Sequence, residues 1–188
     1  MSIPDQEPAP ISAELAARCA TIELLAVDVD GVLTDGCIVV DDHGVESKNF
    51  YVRDGLGFTL WRRAGKRSAI VSGRSAEVVN RRAAELKIDH VAQGINDKAS
   101  ALRALLVEFG LDASQVCYVG DDLIDLPALG VVGLAACPAD AVAEVRRASH
   151  LTTRSIGGRG VVREVVEVVM KAQGLWHAAC EGYRVPAV

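Results

Sequence analysis

Aromatic side chains are scarce, at 4% of 188 residues, so Val, Ala, Leu and Ile must fill any interior. That aliphatic bias suits a buried parallel sheet, whose strands are apolar on both faces. Basic residues are not in excess either. The formal net charge is -5, which argues against nucleic acid as the main partner, because binding a phosphate backbone needs a basic surface. No run of about 18 apolar residues occurs and no charged-then-apolar signal opens the chain. No membrane association is therefore expected, and a cytoplasmic location is. Five cysteines (Cys19, Cys37, Cys117, Cys137 and Cys180) form no C-x-x-C pair. That argues against a structural zinc site and leaves buried, reduced thiols as the expectation.

What is present is enough apolar residue for a core, 50% of the chain, at the length of one ordinary domain of roughly 100–200 residues. Residues 1–20 read as a polar, proline-bearing tail over Met1–Pro10 and a short helix that Ser12 caps, running to Ala20. Residues 21–174 form the domain, and residues 175–188 a C-terminal tail. Leu24-Leu25-Ala26-Val27 is a buried strand that ends at acidic residues. Gly36–Val40 and Val45–Tyr51 flank a turn-forming Asp41-Asp42-His43-Gly44, which predicts a β-hairpin. The arm Cys37-Ile38-Val39-Val40 is apolar on both faces, so something should cover it. Strands at 68–71, near 90–92, at 116–119 and at 131–135 then alternate with helices at 56–63, 76–86, 98–109, 123–129, 141–147 and 161–173. This alternation predicts a three-layer, Rossmann-like α/β fold, a mainly parallel sheet with helices on both faces and the hairpin inserted after its first strand.

Ligands of such sheets sit beyond the carboxyl ends of the strands, and chemistry-bearing residues gather in those loops. Asp28 and Asp30 follow the first strand two positions apart, so an extended backbone turns both carboxylates the same way. Their repulsion is usually offset by a cation. An EF-hand fits poorly, because the twelfth position of the loop is Val39 rather than Glu. Ser72 and Gly73 lie where a strand runs toward a helix, which suits either a phosphate seat or a simple cap. Lys98 opens a helix, where a cation opposes the macrodipole unless an anion compensates it; a surface lysine is the plain alternative. Asp121, Asp122 and Asp125 cluster after Gly120, an arrangement that favours a hard cation held through oxygen.

Together, Asp28-x-Asp30-Gly, Ser72, Lys98 and Gly120-Asp121-Asp122-x-x-Asp125 resemble, in order, the motifs of the haloacid dehalogenase superfamily of phosphotransferases. Thr34-Asp35-Gly36, Phe50-x-Val52-Arg53-Asp54-Gly55-x-Gly57, Ser72-Gly73-Arg74, Gln93-Gly94 and Gly157-Gly158-Arg159-Gly160 are similar to its 3-deoxy-D-manno-octulosonate 8-phosphate phosphatase family. The resemblance runs from about Leu24 to about Gly174. It implies a Mg2+-dependent phosphatase with Asp28 as nucleophile and Asp30 as general acid and base. It also implies a metal held by Asp28, Asp30 (through its carbonyl) and Asp121, with Asp122 and Asp125 as supports. Phosphate would be bound by Ser72, Gly73 and Lys98.

Arg53, Arg74 and Arg159 are candidates for holding a phosphorylated sugar acid, or else for structural ion pairs. The glycine-rich 157–160 segment reads as a gate over the site or a plain turn. The stretch between Gly36 and Val71 is too short for a large cap domain. Capless relatives close their sites by assembling, so the resemblance implies a homotetramer with hairpins at its centre. The product would feed lipopolysaccharide synthesis. Competing readings are a phosphatase of nine-carbon sialic-type acid phosphates, a receiver-type signalling domain and a non-catalytic sugar-phosphate-binding module.

Overall fold

The computed structural model describes residues 11–183; the tail expected over Met1–Pro10 and the last five residues lie outside them. Six strands pair in parallel in the order β5-β4-β1-β6-β7-β8. They are β1 (Leu24–Val27), β4 (Arg67–Val71), β5 (His90–Ala92), β6 (Val116–Val119), β7 (Leu134–Cys137) and β8 (Leu151–Thr152). The hairpin follows β1 as β2 (Val39–Val40) and β3 (Glu46–Ser47), antiparallel, with Val40 opposite Glu46. It pairs over fewer residues than the apolar pattern suggests. The Asp41 carboxylate closes its turn by accepting from the N–H groups of His43 (2.9 Å) and Val45 (2.8 Å).

Every residue of β1, β6 and β7 is buried, and alternate side chains feed two cores. Leu25, Val27, Cys117, Val119, Leu134 and Ala136 point to one face. There α1 (Ala13–Ala20), α2 (Val52–Arg63), α3 (Glu77–Leu86) and α7 (Val161–Ala172) cover them. Leu24, Ala26, Val116, Tyr118, Ala135 and Cys137 point to the other, under α4 (Lys98–Phe109), α5 (Leu126–Leu129) and α6 (Ala143–Ala148). This period-2 division makes the aliphatic runs continuous rather than alternating. Ser12 caps α1, accepting from Leu15 N–H, and Cys19 joins the core. Beyond α7, α8 (Trp176–Ala179) packs Trp176 and Ala179 against that core. Among the described cysteines all are free; Cys37 is exposed, Cys180 half-buried and the others buried.

The chain departs from the sequence pattern in places. The strand expected at 131–135 forms at Leu134–Cys137, because 131–133 turn back: Val131 N–H bonds to Ala128 and Gly133 N–H to Ala113. β8 spans two residues and has no periodicity to read. α2 begins at Val52, earlier than Leu56. Its extra turn carries Asp54, whose buried carboxylate accepts from Arg163 N–H (2.8 Å) at the start of α7. The N-cap of α7 is Gly160, which has no side-chain oxygen to offer, so Asp54 supplies one from a neighbouring helix.

No described helix is long and apolar enough to cross a membrane. The α2–α7 contact depends on a small residue, since a Cβ at Gly57 would stand 3.1 Å from the Arg163 backbone. Gly57→Val is expected to lose about 1–3 kcal/mol in urea unfolding by overpacking that contact. Gly182→Val, which meets nothing within 4 Å, should lose almost none; equal losses would contradict this packing.

Candidate active site

From β1 the chain crosses to β4 and β5, then returns to lay β6 on the other side of β1. The switch point therefore lies between β1 and β6, where a crevice opens at the strands' carboxyl ends. Asp28 follows β1 and Asp121 follows β6, while Ser72 follows β4 and Lys98 opens α4. A cleft of about 410 Å3 is lined by Asp28, Asp30, Ser72, Gly73, Lys98 and Asp121, with Arg74 and Asp122 at its edge. Most of the candidate site residues thus meet in one place.

Lys98 explains its own odd position. Its side chain is 1% exposed and its ammonium lies 3.1 Å from Asp28 Oδ2 and 2.7 Å from Asp125 Oδ1. Burial disfavours the ammonium, but the two carboxylates outweigh it and raise its pKa. They are the compensating anions a lysine at a helix start requires.

Asp125 is fully buried and saturated. Oδ1 accepts from Lys98 and from Tyr118 Oη (2.7 Å), and Oδ2 from the N–H groups of Asp121 (2.9 Å) and Asp122 (3.3 Å). Asp122 caps the 3-10 turn that carries Asp125, accepting from Leu123 N–H at 2.7 Å.

Asp28 has one oxygen held by Lys98, while the other, buried, has no hydrogen-bond partner. Burial, then Asp125, push its carboxyl up to about 6 against the pull of Lys98. Burial, Asp125, Asp28 and Asp122 push Asp121 up to about 7. Carboxylate oxygens of Asp28, Asp121 and Asp125 lie within 4.8 Å of one another. An orphaned buried oxygen beside like charges fits a hard divalent cation. Asp28 and Asp121 suit it better than Asp125, whose oxygens are already taken. Space is tight: a Cβ at Gly31 (φ +86°) would meet Asp121 Oδ2 at 2.1 Å, so only glycine fits there.

Asp30 is held from the hairpin, which the sequence did not reveal. Lys48 hydrogen-bonds Asp30 Oδ1 and pairs with Glu46 Oε1 at 2.9 Å. Arg74 lies 3.0 Å from Glu46 Oε2 and 3.6 Å from Asp30 Oδ2. Ser72 is buried, and its hydroxyl accepts a long bond from Arg74 N–H (3.4 Å).

Arg53 and Arg159 are exposed and line a different cleft, of about 750 Å3, between α1, α7 and the 157–160 segment. The fold does not bring them to the acidic cleft. The 157–160 segment is packed rather than open. Gly158 (φ +64°) donates to Val32 O at 3.0 Å, and a Cβ on it would meet Asp35 N at 2.5 Å. Its glycines permit close packing against the first acidic loop.

Residues 87–165 match the haloacid dehalogenase-like hydrolase family. The chain is 43% identical over 165 residues, 88% of each protein, to 3-deoxy-D-manno-octulosonate 8-phosphate phosphatase KdsC of Escherichia coli K12. It belongs to the 3-deoxy-D-manno-octulosonate 8-phosphate phosphatase family of haloacid dehalogenase-like hydrolases.

The crystal structure of the Moraxella catarrhalis phosphatase of that name, in complex with magnesium, phosphate and KDO, is similar at TM-score 0.89 and 40% identity. The likeness covers 91% of this chain and 98% of that one. The cobalt-bound Haemophilus influenzae phosphatase is similar at TM-score 0.82 and 37% identity, over 85% and 93% of the two chains.

The raised carboxyls of Asp28 and Asp121 make the metal-free fold sensitive to pH. Between their ordinary range and the raised values near 6 and 7, the folded chain binds more protons than the unfolded one, so acidification stabilises it. Added Mg2+ relieves the same repulsion and competes with those protons. Mg2+ is expected to raise the Tm of chelator-treated protein at pH 8, with the gain shrinking as pH falls through about 7 and then about 6. A gain independent of pH, or none, would contradict a metal seat at these carboxylates.

Proposed function

We propose that this protein is a Mg2+-dependent phosphatase that hydrolyses 3-deoxy-D-manno-octulosonate 8-phosphate to the free sugar acid and phosphate. The observation that carries it is Asp28 at the switch-point crevice, with one oxygen fixed by buried Lys98 and the other, also buried, left without a hydrogen-bond partner. Asp28 attacks phosphorus, and the bond from phosphorus to the sugar oxygen breaks as an aspartyl phosphate forms. Asp30 gives its proton to the departing sugar oxygen. It then takes a proton from the water that attacks the phosphoenzyme, releasing phosphate and restoring Asp28.

Asp28, Asp121 and the Asp30 carbonyl would hold Mg2+, which when bound offsets repulsion between nucleophile and phosphate and stabilises charge on the phosphoryl oxygens. Lys98, Ser72 and the Gly73 backbone bind those oxygens. Asp122 and Asp125 orient their neighbours. Arg74, half-exposed at the rim, is the protomer's own cation for the sugar carboxylate.

The assembly we propose is a cytoplasmic homotetramer joined at the hairpins, whose Ile38, Val39, Val40 and Val45 are 49–58% exposed. Sugar contacts by Arg53 and Arg159 are then made to a neighbouring protomer's site.

Phosphate release with Mg2+ is expected to be fastest from the eight-carbon acid 8-phosphate, over nine-carbon sialic-type acid phosphates and hexose phosphates. Asp28→Asn and chelation should each abolish it. Faster release from the nine-carbon acid would keep the chemistry and refute the substrate, and release by Asp28→Asn would refute the nucleophile. Light scattering should give the mass of four chains; a monomer would refute the assembly.

A further inference from the structure

We propose that Lys48 is the positioning residue of Asp30: it sets the direction in which that carboxyl exchanges a proton with the leaving group. The proposal rests on the reading of Asp30 as general acid. Lys48 lies just past β3, on the hairpin, yet its side chain is 1% exposed. A buried lysine gives up solvation and rotamer freedom, so a fixed place for it needs strong partners. It has two, Asp30 Oδ1 and Glu46 Oε1.

Asp30 depends on it in turn. Among the described residues Lys48 supplies the one side-chain hydrogen bond its carboxylate receives. Arg74 stands 3.6 Å from Oδ2, too far for a hydrogen bond. The loop that carries Asp30 therefore does not orient its carboxyl; the hairpin does. With Oδ1 held by the ammonium, Oδ2 is left for the proton. Glu46 completes the arrangement by holding both Lys48 and Arg74, so charges alternate around the group. Each reacting aspartate is thus gripped by a buried lysine from a remote element: Asp28 by Lys98 and Asp30 by Lys48.

The test uses aryl phosphates, which have no carboxylate, and reads kcat/KM, which ends at departure of the leaving group. p-Nitrophenolate leaves without a proton, whereas phenolate benefits from an acid. Lys48→Met is expected to lower kcat/KM about 100-fold on phenyl phosphate, the low end for general-acid catalysis, and only about 5-fold or less on p-nitrophenyl phosphate. The slope against leaving-group acidity should steepen toward that of Asp30→Asn, and Lys48→Arg should restore part of it. Glu46→Gln, which removes one anchor but keeps the lysine, should steepen it less; this variant decides the matter if Lys48→Met does not fold.

Equal losses on all esters would assign Lys48 a structural role in the hairpin and overturn the proposal. So would a loss confined to the sugar acid phosphate, which would make Lys48 a receptor for its carboxylate, and so would no loss at all. If Asp30→Asn itself leaves the slope unchanged, the general-acid reading fails instead, independently of Lys48.

Discussion

The ion pair between Lys98 and Asp125 is the constraint on which the site depends. Both side chains are out of solvent, and an unpaired charge there would be strongly destabilising. Asp125 meets that demand with four donors: the ammonium, the Tyr118 hydroxyl and two backbone N–H groups. Those bonds fix three elements at once. They lock the loop after β6 in the shape that presents Asp121, tie α4 to β6 and hold the ammonium against Asp28. The carboxylates are then crowded by a framework that cannot relax, which is why burial and mutual repulsion raise Asp28 and Asp121. A divalent cation relieves what the framework imposes.

The second aspartate is handled differently. Asp30 is oriented by the hairpin rather than by the sheet, through Lys48. The hairpin exposes apolar Ile38, Val39, Val40 and Val45. A single element therefore carries both an exposed apolar surface and the cation that reaches Asp30.

Much of this was legible in the sequence, for physical reasons. Apolar runs ending in acid mark strands whose carboxyl ends carry ligands, which exposed Asp28 and Asp121. Lys98 stood out because a cation at a helix start needs an anion. Lys48 and Tyr118 gave no such signal: one looked like a polar hairpin residue, the other like a core aromatic, and their partners lie on other segments. The glycines at 157 and 158 suggested mobility, yet they serve a backbone contact with residues 31–35 that no local pattern records. The register of β7 was missed for a similar reason, since the turn before it is set by a bond from Gly133 to Ala113. Arg53 and Arg159 shared motifs with the site but face another cleft. Motif membership does not tell which cleft a side chain faces.

The proposed mechanism stands or falls on phosphorylation of Asp28 in turnover. The most direct measurement mixes enzyme, Mg2+ and substrate, quenches with acid within milliseconds and maps the phosphoryl group by peptide mass spectrometry. One phosphoryl mass is expected on the peptide that holds Asp28, absent from Asp28→Asn. A phosphoryl group on any other residue, or turnover with no phosphoenzyme at any quench time, would contradict it.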